Sequence, residues 1–146
     1  MSSVVSNKIK ALLLSGGVDL DTDGIKAMLV TSAHTPNADD NFVSTYTASE
    51  LSGTGYAGGF AGSGRKALAS KTVTQDNVND LAYLDADDLV WTGISAGTAA
   101  ALVLYKPVND DTDSPIIAVF QFSVAITTNG GDLTVSWNVA GILKAA

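Results

Sequence analysis

The sequence predicts a mainly β, single-domain protein: an antiparallel β-sandwich or small barrel of about seven or eight strands with one short N-terminal helix. Three observations carry this. Apolar residues alternate with polar ones in several segments, most plainly Leu133, Val135, Trp137 and Val139 against Thr134, Ser136 and Asn138, the period of a half-buried strand. Fourteen glycines and many Ala, Thr, Ser and Val residues favour strands and turns over helix bundles. Helical spacing combined with a cap and a stop occurs once, near the N-terminus.

Residues 1–7 read as a flexible arm and 8–146 as a single β-rich domain. Ser6 or Asn7 caps a helix over Lys8–Ser15 that places Ile9, Leu12 and Leu13 on one face and stops at Gly16-Gly17. Asp19–Gly24 is a turn, and Ile25–Thr31 is an almost continuous apolar strand, which implies burial on both faces. A polar loop, 34–41, leads to a short extended segment over Phe42–Tyr46 and one helical turn over Thr47–Leu51. After a glycine-rich stretch, Lys66–Thr74 reads as a strand with Leu68 facing inward. Leu81–Asp85, Leu89–Trp91 and Thr98–Lys106 follow as further strands separated by turn residues. Pro107–Pro115 is an exposed loop. The alternation of Ile116, Ala118, Phe120, Phe122, Val124 and Ile126 predicts a long strand. Asn129-Gly130 then signals a hairpin into the strand that carries Trp137. Residues 141–146 form an apolar tail.

Composition bounds the function. The 146 residues include 46% hydrophobic but only 16% charged side chains, against about 25% charged in an ordinary soluble domain. A surface so low in charge suits a protein that meets other subunits. With fifteen acids, eight bases and a net charge of −7, the chain lacks the clustered Lys and Arg that hold a nucleic-acid backbone or an anionic membrane. The absence of cysteine removes disulfides, thiolate catalysis and Cys-type zinc sites. The apolar run Ala11–Leu14 is too short for a signal-peptide core.

Glu50–Lys66, ELSGTGYAGGFAGSGRK, holds glycines at 53, 55, 58, 59, 62 and 64. Gly53-x-Gly55-x-x-Gly58 matches a dinucleotide fingerprint, but that motif acts at the start of a helix, and Gly59-Phe60-Ala61-Gly62 follows instead. Gly59-x-x-x-x-Gly64-Arg65-Lys66 approaches a phosphate loop, yet Arg65 stands where Lys is needed and Lys66 where a hydroxyl is needed. The reading left is a crossing between strands, with Tyr56 and Phe60 as anchors into the core or into a neighbour. Asp19, Asp21 and Asp23, followed by Gly24, reproduce the first half of a calcium-binding EF-hand loop, although the twelfth position is Val30 rather than glutamate. These three aspartates are the one weak calcium candidate beside a plain acidic turn. His34, the only histidine, lies in a loop, and no G-x-S-x-G elbow accompanies it. Trp91 and Trp137 continue strand patterns and read as core.

The succession NKIKALLLSGGVDLDTDGIKAMLVTS, ASELSGTGYAGG, LDADDLVWTGISAGTAAALVLYK and SPIIAVFQF resembles a family of small virion proteins of tailed bacteriophages that look like capsid decoration (cement) proteins. Its most specific parts are Glu50-x-x-Gly53-x-Gly55-Tyr56 and Asp87-Asp88-Leu89-Val90-Trp91 with the Ala-rich strand through Tyr105. The resemblance implies a non-enzymatic, all-β structural module, assembled in the host cytoplasm and carried on the capsid exterior. Its expected partners are the major capsid protein and copies of itself, with a trimer suiting the threefold positions of a capsid. No cofactor, nucleic acid or membrane is expected. The acidic charge agrees with a place away from packaged DNA. Expected contact residues are Val4, Val5, Tyr56, Phe60, Arg65, Asn109 and Asp111. A neck, tail or fibre-base component, including a receptor- or glycan-binding module, is the alternative.

Overall fold

A computed structural model describes residues 1–146. The chain is mainly β, with ten strands in three antiparallel sheets and no closed barrel. In order, the elements are β1 (Ser2–Val5), α1 (Asn7–Ser15), β2 (Lys26–Val30), a 3₁₀ helix (Val43–Ser49), β3 (Lys66–Ala67), β4 (Thr72–Asp76), β5 (Leu81–Asp85), β6 (Leu89–Trp91), β7 (Thr98–Tyr105), β8 (Ile116–Thr127), β9 (Leu133–Val135) and β10 (Leu143–Ala145). The largest sheet runs β1-β8-β7-β2-β3, the second β10-β5-β4, and β6 pairs with β9.

Both faces of the five-stranded sheet are covered, which is why β2 and β7 read as continuous apolar runs. Ala27, Leu29, Leu102 and Leu104 point into the larger core, where they meet Ile9 of α1, Leu84 of β5, and Trp91 and Leu133 of the β6-β9 pair. Met28, Val30, Val103 and Tyr105 point the other way and pack with Val43 and Tyr46 of the 3₁₀ helix. Helix α1 begins as its sequence dictates. Ser6 is the N-cap, its hydroxyl accepting from the Ile9 N–H at 3.0 Å, and Gly16 ends the helix in the left-handed region at φ 69°.

Several expectations are corrected. The arm is not free: Ser2–Val5 pairs with Ala118–Gln121 of β8, because the β-branched Val4 and Val5 suit a strand and extend an existing edge. Phe42–Tyr46 is not an extended segment, since Val43 opens the 3₁₀ helix. The strand expected over Lys66–Thr74 breaks at Ser70, whose φ of 52° is incompatible with a ladder. Asn129-Gly130 does not join a hairpin. The chain leaves β8 there for a different sheet, and β9 pairs with β6. The strand at Leu133 stops at Val135, leaving Trp137 half-buried and Val139 96% exposed. The apolar tail is β10, paired with β5. Within β8, Ala101 pairs with Gln121 and Ala99 with Ile126. Phe122–Ala125 therefore bulges outward opposite Ala100 alone, and Val124 is 79% exposed.

Candidate functional site

The glycine-rich stretch builds a buried ionic cluster. Residues 49–51 run beside the end of β2, with Thr31 N–H donating to the Ser49 carbonyl and Leu51 N–H to the Leu29 carbonyl. Gly53 and Tyr56 then exchange backbone hydrogen bonds of 2.9 and 3.1 Å across a tight turn. Gly55 holds that turn at φ 74° and passes so close to the backbone of Gly93 that a Cβ would lie 2.7 Å from its carbonyl oxygen. The turn sends the Tyr56 ring into the core. Its hydroxyl accepts from the Leu29 N–H at 2.9 Å and donates to Glu50 Oε1 at 3.3 Å. It thereby satisfies the β2 ladder beyond the point where β3, which pairs only with Lys26 and Ala27, has ended.

Arg65, immediately before β3, is the centre of the cluster. Nε and Nη2 donate to the two carboxylate oxygens of Glu50 at 2.8 and 2.7 Å. Nη1 and Nη2 donate to the carboxylate of Asp111 at 2.5 and 3.0 Å, and Nη1 also reaches the Tyr105 hydroxyl at 3.4 Å. All five guanidinium N–H groups are thus used. Glu50 Oε2 further accepts from the Gly59 N–H at 2.9 Å. The Arg65 side chain is wholly buried, and those of Glu50 and Asp111 are 5% and 17% exposed. Burial works to lower the Arg65 pKa, but the hydrogen bonds to Glu50 and then Asp111 outweigh it and hold the guanidinium charged. Burial also raises the Tyr56 hydroxyl above its ordinary value. With no donor left for an incoming anion, the cluster fastens three segments together. It ties the 50–59 loop and the 107–115 loop to the entrance of β3.

A second polar knot lies in the 34–46 region. Asp40 Oδ2 receives the Tyr46 hydroxyl at 2.6 Å, the Asn37 N–H at 2.9 Å and His34 Nε2 at 2.9 Å. Burial works to raise the Asp40 carboxyl, but the hydrogen bonds from Tyr46, Asn37 and His34 prevail and lower it. His34 packs edge-on against Tyr46 with ring centroids 4.8 Å apart, so it is half-buried rather than a free loop side chain.

The structure separates the expected site residues. Tyr56 takes the core place of its two expected ones, Arg65 is buried within the fold rather than exposed for contact, and Asp111 is engaged by Arg65. Val4 and Val5 belong to β1, while Phe60 is half-exposed. Asn109 is exposed, its amide donating to Asp113 Oδ2 at 3.0 Å. Asp19, Asp21 and Asp23 do not converge on an ion. Asp19 Oδ1 accepts the Asp21 and Thr22 N–H groups, whereas Asp23 Oδ2 accepts from the Asp19 N–H at 2.8 Å and from Lys106 Nζ at 2.6 Å. No group of three or more His, Asp or Glu side chains is placed to hold a metal. Trp91 is core, donating from Nε1 to the Gly64 carbonyl at 2.6 Å. Trp137 instead lies across the rim, edge-on to Phe120, with Nε1 donating to the Asp87 carbonyl at 3.0 Å.

Sequence reasoning missed an apolar groove of about 370 Å³ between α1 and the β10-β5-β4 sheet. Its signal was the surplus of leucines in ALLL: the buried face of α1 needs Ile9 and Leu12, yet Leu13, which lines the groove, remains 41% exposed. No protein family, curated protein or solved structure matches the chain.

Proposed function

We propose that this chain is a structural protein of a tailed-phage virion, acting as a decoration protein that binds the outside of the capsid and bridges neighbouring capsid subunits. The observation that carries the reading is the saturation of the Arg65 cluster. Every buried side-chain nitrogen and oxygen has a hydrogen-bond partner within the chain, so the buried polarity is spent on rigidity, while the unpartnered apolar surface lies outside at the α1 groove and the β8 bulge. That distribution suits a rigid body which acts by contact. Docked copies then stabilise the assembled shell by mass action, and repetition around the shell adds avidity.

The test is a reconstruction of the virion combined with quantitative protein analysis. Density over the capsid exterior, with a copy number that scales with the capsid subunits, is the expected result. Copies confined to one vertex, the neck or the tail would overturn the decoration role in favour of a tail or neck component, and absence from the particle would overturn both.

A further inference from the structure

The α1 groove is lined by Leu13, Leu20, Val73 and Leu143 among other apolar residues, and its only charged lining residues are Lys10 and Lys144. On a chain with fifteen acids and eight bases, an apolar recess bearing two bases and no acid is exceptional. Neither lysine forms an ion pair within the chain. The complementary occupant is an apolar side chain flanked by carboxylates.

The chain itself presents one. At the tip of the β4–β5 turn, Val78 is 90% exposed and stands between Asp76 and Asp80. The turn is already rigid. Asp76 Oδ1 accepts the Val78 and Asn79 N–H groups at 3.0 and 3.1 Å, and Oδ2 accepts the Asn79 amide at 2.7 Å. Little order remains to be imposed on docking. The other strongly exposed valines, Val124 and Val139, have no acidic neighbours in sequence. We propose that the groove receives the β4–β5 turn of a second copy, with Val78 inserted among the leucines and Asp76 and Asp80 facing Lys10 and Lys144.

A chain cannot fill its own groove in this way. The turn projects from the end of the same strands whose Val73–Leu84 pair lies at the groove, and a paired strand does not fold back on itself. The contact joins two different surfaces, so it is heterologous: successive copies close into a ring or continue in a line. It does not depend on the virion reading, since the two surfaces belong to the chain whatever its role.

The asymmetry supplies the test. Val78→Asp removes the knob and keeps the groove, while Leu13→Asp damages the groove and keeps the knob. Both positions are exposed enough to leave the core intact. Sedimentation velocity over a concentration series reads the association. Wild-type mass should rise with concentration, and each variant alone should need roughly tenfold more protein or beyond. An equimolar mixture of the two variants should form a one-to-one complex that neither forms alone. Lys144→Glu serves as the groove variant if circular dichroism shows that Leu13→Asp has not folded. A wild-type chain that stays monomeric up to its solubility limit, variants that associate as wild type does, or a mixture without a complex each overturns the proposal, whatever else the groove binds.

Discussion

Arg65 and Glu50 meet side by side through two parallel hydrogen bonds of 2.8 and 2.7 Å, with the arginine side chain fully shielded from water. Asp111 closes the other flank of the same guanidinium. A buried pair in this geometry adds little over an apolar replacement of both partners, but removing one partner strands a charge. Arg65→Ala should therefore destabilise the protein by about 3–5 kcal/mol. Chemical denaturation measures it, and limited proteolysis should show cleavage in 107–115 before the rest of the chain. Arg65→Lys should recover only part of the loss, because an ammonium cannot span two carboxylates side-on.

The glycines differ in what they tolerate. A Cβ at Gly62 would overlap the carbonyl oxygens of Ala57 and Gly58, and one at Gly64 would lie 2.5 Å from the Tyr56 ring. Gly59 has open space around it and only its φ of 92° to object. Gly62→Ala should cost about 2–3 kcal/mol through overpacking, and Gly59→Ala about 1 kcal/mol through backbone strain. Melting temperatures of the two variants check the order.

Burial raises the hydroxyl pKa of Tyr46, Tyr56 and Tyr105. A group raised on folding contributes stability in full below its unfolded pKa, about 10 for tyrosine, and loses it as pH climbs from there. In a Tyr83→Phe background every remaining tyrosine is one of these three. Its phenolate absorbance should then appear together with the loss of circular dichroism, not before it.

On the acid side the sign reverses. The Asp40 pKa is lowered below 3.8 in the folded state, so its contribution is present above the unfolded value and fades as pH falls through the folded one. Asp40→Asn should be less stable than wild type at neutral pH, and the gap should shrink below about pH 4. Thermal melts across that range decide it.

Removing residues 1–5 should not be neutral. It uncovers the edge of β8 opposite Ala118–Gln121 and should lower stability by about 3 kcal/mol from lost pairing and valine burial. An unchanged denaturation midpoint would refute a stabilising role for β1.

Local signals are legible in the sequence where one local cause suffices. The Ser6 cap, the Gly16 stop, and the strands at Leu81–Asp85, Leu89–Trp91 and Thr98–Tyr105 follow from nearby residues alone. Pairing does not, because alternation shows that a strand has two faces without saying which strand lies beside it. Asn129-Gly130 has hairpin chemistry, yet the partner of Leu133–Val135 is Leu89–Trp91, more than forty residues away in sequence. The Arg65 cluster is invisible for the same reason. Glu50, Arg65 and Asp111 look like solvated side chains until the fold brings three distant segments together. Tyr56, expected as an anchor into the core or into a neighbour, and Arg65, expected as a contact residue, are large and conspicuous in a glycine-rich setting, and that same setting lets backbone close around them.

The pairing of β1 with β8 also sets an order in time. Ser2–Val5 is synthesised long before its partner, Ala118–Gln121. The last strand, Leu143–Ala145, completes the edge of β5. β1 therefore waits for β8, and that edge of the five-stranded sheet closes late in folding rather than as β1 emerges. Until then, Val4 and Val5 are open to any neighbouring nascent chain.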